Sequence, residues 1–227
     1  AIRTGVPLHH LPLGTENLFA REFRSTRRPE DLIAAVERAE VVRVDAAAFE
    51  GGPLDGRVFL LMASIGFDAD VVHDLTALRR GAITHLSYAA PILRRAVAWR
   101  GPELEVRVDG RPLVSGVRGT LVIANCRQYG GRLDPAPEAS MVDGRLDVVF
   151  LPARTGLGMA GRAVGCRLRI ARGPRGRGRE VEVRCRPASR VQTDGDPAGP
   201  VDERLDVIRC VVRPAAVPVL APPARVR

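Results

Sequence analysis

The sequence predicts an α+β chain: the closing part of an α/β domain over residues 1–40, a predominantly antiparallel β-sandwich over 41–213, and a Pro/Ala-rich tail over 214–227. Three observations predict it. The chain opens with a strand–turn–helix pattern: an apolar run from Val6 to Leu11, a Gly14-Thr15 turn, then Leu18, Phe19 and Phe23 at helical spacing. From Val41 the texture changes to short alternating or fully apolar runs separated by Gly, Pro and Asp-Gly turns, as in a sandwich. Helical spacing then returns in two later stretches, around Ile83–Val97 and Gly156–Ile170.

In order, a helix is expected from Glu16 and a second over Pro29–Ala39, where proline and two acidic residues suit a first turn. Val41–Val44 alternates, and Val58–Met62 reads as one buried strand after the turns at Gly51–Pro53 and Asp55-Gly56. Ser64–Asp70 ends a strand. The helix over Ile83–Val97 contains Pro91, which predicts a kink or break near Ala90. Leu86, Tyr88, Ile92 and Trp99 suit a core or the mouth of an apolar cleft. Leu104–Val108 turns at Asp109-Gly110 and returns through Leu113-Val114 and Gly119–Ala124. Further strands are expected over Leu146–Leu151, Val181–Cys185, Arg190–Thr193 and Leu205–Val212, with a flexible basic loop over Gly173–Arg179. The Pro-rich tail argues against regular structure beyond Arg213.

The net charge is +9 and every cationic side chain is Arg, because the sequence contains no Lys. That excludes a Walker P-loop and Schiff-base chemistry, which need an amine. Phosphate must then be met by backbone N–H groups, Arg or a metal. The four cysteines (Cys126, Cys166, Cys185, Cys210) lie far apart, without Cys-x-x-Cys spacing, and read as reduced, mostly buried thiols. No apolar run reaches the ~18–20 residues of a membrane span, and no signal-peptide pattern opens the chain. A soluble, cytoplasmic protein is the expectation.

Five stretches carry a resemblance: Pro12-Leu13-Gly14-Thr15-Glu16-Asn17-Leu18-Phe19-Ala20, Ser64–Ala69, Asn125–Gly131, Ala139–Val148, and Gln192–Asp196. Together they resemble the diacylglycerol kinase catalytic family, bacterial lipid kinases related to sphingosine and ceramide kinases and, more distantly, to NAD kinases. The family's Gly-Gly-Asp-Gly-Thr nucleotide loop is absent from these 227 residues. The resemblance therefore implies the C-terminal part of a longer kinase, or a split or decayed one, with residues 1–40 as the end of a nucleotide-binding domain.

The resemblance implies transfer of the γ-phosphoryl of ATP to a lipid hydroxyl with Mg²⁺, at a site between the two domains. Gly14, Thr15 and Asn17 carry over as nucleotide contacts. Asp194 and Asp196 flank Gly195 where the family has Asp-Gly-Glu, which makes one of them the proton acceptor. Without the resemblance, Asp194-Gly195 reads as a hairpin turn. A structural Mg²⁺ is implied at the side chain of Asp143 with carbonyls of Ser140 and Arg145. The implied partner is a lipid substrate at a membrane surface, with the protein peripheral to it. A homodimer is within the expectation, and nucleic acid is not. The alternative readings are a non-catalytic remnant or lipid-binding module and, with a poorer match, an NAD kinase.

Overall fold

The computed structural model describes residues 1–14, 16–78, 89–168, 173–200 and 204–220. The expectations for Thr15, Ile83, Leu86, Tyr88 and Ile170 lie outside the described residues.

Two short helices come first, α1 (Leu18–Glu22) and α2 (Pro29–Arg38). Then follow β1 (Val41–Phe49), β2 (Val58–Phe59), β3 (Met62–Ile65), α3 (Phe67–Leu78), α4 (Ala89–Ala98), β4 (Glu103–Val108) and β5 (Arg111–Ala124). The chain continues with β6 (Leu146–Pro152), α5 (Gly156–Arg167), β7 (Arg175–Gly178), β8 (Glu180–Ser189), β9 (Val191–Thr193), β10 (Asp196–Pro197) and β11 (Leu205–Leu220).

The strands form two antiparallel sheets that share β5. One runs β2-β1-β11-β8-β4-β5, the other β10-β9-β3-β5-β6-β7. The first part of β5 pairs with β4, up to Glu103↔Arg118. Its second part, from Gly119, pairs with β6 and β3. Gly119 stands at the crossing because a β-carbon there would lie 2.6 Å from the ring of Phe150.

Strand alternation sorts the side chains into layers. Leu121, Ile123, Val148 and Phe150 point inward with Leu104, Val106, Val181 and Val183 of the facing sheet. Val122, Ala124, Val149 and Leu151 point the other way, against Trp99, Met159 and Cys166 of the helical layer. All four cysteines are free and buried.

Several sequence expectations are corrected. Val6–Leu11 is neither strand nor buried: it makes one parallel bridge, Leu8↔Val219, and Val6 is 62% exposed. The first helix starts at Leu18 rather than Glu16, after Asn17 in a left-handed conformation (φ 49°). The run Val58–Met62 is split into β2 and β3, because the N–H groups of Leu60 and Leu61 leave the ladder for the carboxylate of Asp194. Residues 175–178 of the expected basic loop form β7, paired with β6 from Leu146↔Gly178 to Val149↔Arg175. The tail to Leu220 is strand: β11 continues past Arg213 and pairs Val217 with Val44 and Leu220 with Val41. The kink or break expected near Ala90 falls at the edge of α4 (Ala89–Ala98), and the residues before it, 79–88, lie outside those described.

Candidate active site

The Asp194-Gly195-Asp196 turn joins β9 to β10, with Asp194 at φ 51° and Gly195 at φ 94°. It is a hairpin turn held from two sides. The carboxylate of Asp194 accepts backbone N–H groups from Leu60 (2.8 Å), Leu61 (2.8 Å) and Met62 (3.0 Å). Burial pushes that carboxyl's pKa up, against the opposing effect of the three N–H donors. On the other side, Gly195 donates its N–H to Gln192 Oε1 at 2.9 Å. Gln192 Nε2 in turn donates to Ser64 Oγ (2.9 Å) and Asp68 Oδ2 (3.0 Å). Asp68 Oδ2 also accepts the hydroxyls of Ser64 (2.7 Å) and Tyr129 (2.6 Å). Burial beside Asp68 holds the Tyr129 phenol well above its ordinary pKa, so it stays a donor.

The two acids therefore differ in kind. Asp194 is spent on positioning the turn. Both residues are exposed, but the Asp196 carboxylate, unlike that of Asp194, meets no hydrogen-bond donor among the described residues. It is the member of the pair whose carboxylate is open to a further donor.

α1 packs beside this centre. Phe19 and Phe23 pack ring to ring at 4.7 Å in an apolar cluster with Leu61, Met62, Cys126, Val217 and Val219. Leu61 and Met62 are also N–H donors to Asp194, so one segment seats both the helix and the acid turn. Glu22 on α1 accepts from Gln128 Nε2 at 3.1 Å, and Glu16 accepts from Gly131 N–H at 3.4 Å. Asn125, fully buried, donates to the carbonyls of Leu60 (2.7 Å) and Asp45 (3.0 Å). The 125–131 loop is thereby tied both to α1 and to the strand end under Asp194. Burial, with Glu22 next in effect, drives the Cys126 thiol far up, and it is a packing group rather than a nucleophile.

Of the expected nucleotide contacts, Gly14 does not present a free N–H. It donates to Asn17 Oδ1 at 2.7 Å, and Asn17 Nδ2 returns a bond to the Gly14 carbonyl. α1 itself is only five residues long. Asn17 closes the turn on itself.

The Asp143 loop lies elsewhere, below β6. Asp143 Oδ2 is 2.7 Å from Arg177 Nη2, and Asp143 Oδ1 accepts the Arg145 N–H at 3.0 Å. Arg177 also reaches Asp147 Oδ2 (3.2 Å) and the Glu138 carbonyl (3.0 Å). Among the described residues, no group of three or more His, Cys, Asp or Glu side chains is arranged to hold a metal ion. The Asp143 carboxylate that the resemblance assigns to Mg²⁺ is engaged by the Arg177 guanidinium, which an ion held there with the Ser140 and Arg145 carbonyls would have to displace. The loop is held from above by Asp45, a buried carboxylate at the bulge of β1, which accepts from Gly144 (2.7 Å) and Ala215 (2.8 Å).

Sequence reasoning did not find the positioning roles of Gln192, Glu22, Asp45 and Arg177. Each is a lone polar residue in a strand, helix or loop, and its partner is remote in sequence.

Residues 62–221 match the model of the YegS C-terminal NAD kinase beta sandwich-like domain. The chain belongs to that family. Among curated relatives, it is 33% identical over 150 residues to a protein of Pseudomonas fluorescens (strain Pf0-1) named "Probable lipid kinase YegS-like", covering 63% of this chain and 45% of that protein. It is 27% identical over 224 residues to a protein of Mycobacterium tuberculosis (strain H37Rv) named diacylglycerol kinase, covering 96% of this chain and 70% of that one. This family chain thus spans between about half and about two thirds of the length of those relatives. A crystal structure titled as a diacylglycerol kinase from Bacillus anthracis str. Sterne superposes with a TM-score of 0.65 at 16% identity, over 96% of this chain and 69% of that one. That likeness speaks for the fold.

Proposed function

We propose that this YegS-type sandwich is the C-terminal part of a lipid kinase site that transfers the γ-phosphoryl of ATP, delivered as its magnesium complex, to a lipid hydroxyl. The observation that carries the reading is the division of labour at the acid turn, in a chain whose relatives are named lipid kinases. Asp194 and Gln192 fix the turn, and Asp196 is left exposed at its end.

In this reading the lipid oxygen attacks the γ-phosphorus, its proton passes to the Asp196 carboxylate, and the β–γ bridging oxygen leaves with ADP. A fixed turn keeps that carboxylate within reach without an ordering step at the moment of reaction. The Mg²⁺ bound to ATP neutralises phosphate charge. Gly14, Thr15 and Asn17 are proposed to approach the nucleotide once Asn17 releases the Gly14 N–H. Asp143 is assigned no part in the chemistry. The closed Gly14 turn favours a second reading for the chain in isolation, a lipid-binding module without activity.

The test is transfer of labelled γ-phosphate from ATP/Mg²⁺ into a lipid panel. It is run on this chain and on the polypeptide encoded together with any sequence upstream of Ala1. Transfer that disappears in Asp196→Asn, with an unchanged melting curve, supports the kinase; full transfer by that variant overturns the base assignment. No transfer by either form leaves the binding module.

A further inference from the structure

Asp68 has no part in the transfer described above, yet three donors meet on one of its oxygens: the hydroxyls of Tyr129 (2.6 Å) and Ser64 (2.7 Å) and Gln192 Nε2 (3.0 Å). The backbone sets that oxygen in place. Asp68 lies in the first turn of α3, where the Phe67 N–H donates to Thr120 Oγ1 and the Asp70 N–H to the Gly66 carbonyl, each at 3.0 Å. Gly66 has φ 112°, and a β-carbon on it would lie 2.8 Å from the same Thr120 oxygen and 2.9 Å from the Gly119 carbonyl. Glycine is the residue that lets the end of β3 close so tightly onto β5 that α3 can start there.

A carboxylate offers acceptors only, whereas a carboxamide has one donor end and one acceptor end. With its Nε2 drawn to Asp68 and Ser64, Gln192 must turn Oε1 the other way, and there it takes the Gly195 N–H at 2.9 Å. Reversed, the amide would set its own N–H groups against that of Gly195. Gln192 is buried, so water does not stand in for a lost partner. Asp68 thus decides which way Gln192 points. Tyr129 holds the other flank of Asp68, and its ring packs against both the apolar cluster beside α1 and the one over the second sheet. Its loop neighbours Gln128 and Gly131 donate to Glu22 on α1 and to Glu16 just before it.

We propose that Asp68 and Tyr129 are positioning residues for the acid turn: through Gln192 they tie the place of Asp196 to the 125–131 loop, and so to α1. Gly195 stands in the middle of the turn and Asp196 follows it directly, so a Gly195 N–H that is fixed holds the next residue's Cα to one place. The pair acts through Gln192 and has no need to touch a substrate. The proposal rests on the kinase reading in giving Asp196 the proton, while the link from Tyr129 to Gly195 is a chain of hydrogen bonds that can be measured without it.

The test is amide hydrogen exchange of the full chain, without nucleotide, read at Gly195 by NMR, with labelled-phosphate transfer measured in parallel. Asp68→Ala removes the shared acceptor and should speed exchange at Gly195 about tenfold, the scale of one hydrogen bond, while Ile123 in the middle of β5 exchanges as before. Tyr129→Phe keeps the ring and removes one donor, and should speed exchange at Gly195 about threefold. Asp68→Asn keeps an oxygen for the same three donors and should stay close to wild type. Where transfer is measurable, kcat should fall in the same order while KM for ATP and lipid holds, because the base is displaced and the binding contacts are not. If Asp68→Ala does not fold, Tyr129→Phe carries the result. Unchanged exchange at Gly195 in those two variants, exchange that rises equally at Ile123, or a KM that rises while kcat holds would overturn the proposal. A Gly195 response in a chain that transfers no phosphate would count against the kinase and leave the positioning pair standing.

Discussion

Three backbone N–H groups converge on the carboxylate of Asp194, and this sets what each acid of the turn does when changed. Asp194→Ala leaves those donors without their partner, at about 1–3 kcal/mol for each buried donor. Because Asp194 is itself exposed and the Leu60 hydrogen bond lies at the surface, water replaces part of the loss, and a fall of about 1–3 kcal/mol in urea denaturation is the expected outcome. Asp196→Asn should leave the denaturation midpoint where it is and remove phosphoryl transfer. A midpoint that falls equally in both variants would contradict the division of roles. Arg177 yields a second residue-scale expectation. Arg177→Ala should lower the melting temperature by several degrees, because Asp143, Asp147 and the Glu138 carbonyl lose their shared donor. Addition of Mg²⁺ or chelator should not move the wild-type melting curve; a stabilisation by Mg²⁺ would show that the loop takes a metal after all. The sequence announced the Asp194-Gly195-Asp196 turn because Asp-Gly bends and paired acids are both local signals. It could not announce Gln192 or Arg177, whose meaning comes from groups that only the fold brings near.

At the scale of elements, α3, α4 and β9 are joined by a half-buried ion cluster. Arg95 donates to Asp74 through two nitrogens at 2.7 and 2.6 Å, Arg190 reaches Asp74 at 3.1 Å, and the indole of Trp99 donates to Asp70 at 3.0 Å. Burial alone would raise the Asp74 pKa; hydrogen bonds and charge from Arg95 and Arg190 outweigh it and leave it below the ordinary value. A carboxylate depressed on folding contributes stability that is whole above its unfolded pKa of about 3.9 and is lost as pH falls through the folded value. Asp74→Asn should therefore lower stability at neutral pH and flatten the acid limb below about pH 4, as read by denaturant midpoints across pH. Asp194 has the opposite sign, since its pKa is raised on folding. Most elements could be read from pattern, β4 and β8 from alternation and β6 from a continuous apolar run. β7 and the end of β11 could not: Arg-Gly repeats and Pro214, Pro218 carry poor strand propensity, and pairing with β6 and β1 overrides it.

For the whole molecule, the two-sheet plan followed from the density of short strands and turns, but the way residues 1–40 attach to it did not. Besides the contacts of α1 with Leu61, Met62 and the 125–131 loop, they are held through the last strand, β11. Leu8 exchanges backbone bonds with Pro218 and Leu220, and Phe19 sits on Val217 and Val219. A chain ending at Arg213 should keep its inter-sheet core and lose this attachment. Hydrogen exchange should then accelerate in Val41–Val44 and α1 while β4, β5 and β8 stay protected; uniform protection would contradict it.

The antiparallel pairing of β1 with β11 also has a consequence for biosynthesis. Phe49 finds its partner Cys210 only after the intervening chain has been made. At about 5–20 residues per second, that wait is on the order of ten seconds or more. Throughout it, the apolar stretch Ala46–Phe49 has no strand beside it on that edge, and the nascent chain presents it to chaperones and proteases alike. A ribosome stalled before codon 205 should hold a polypeptide that is cleaved readily near β1, and one stalled well beyond codon 220 should not.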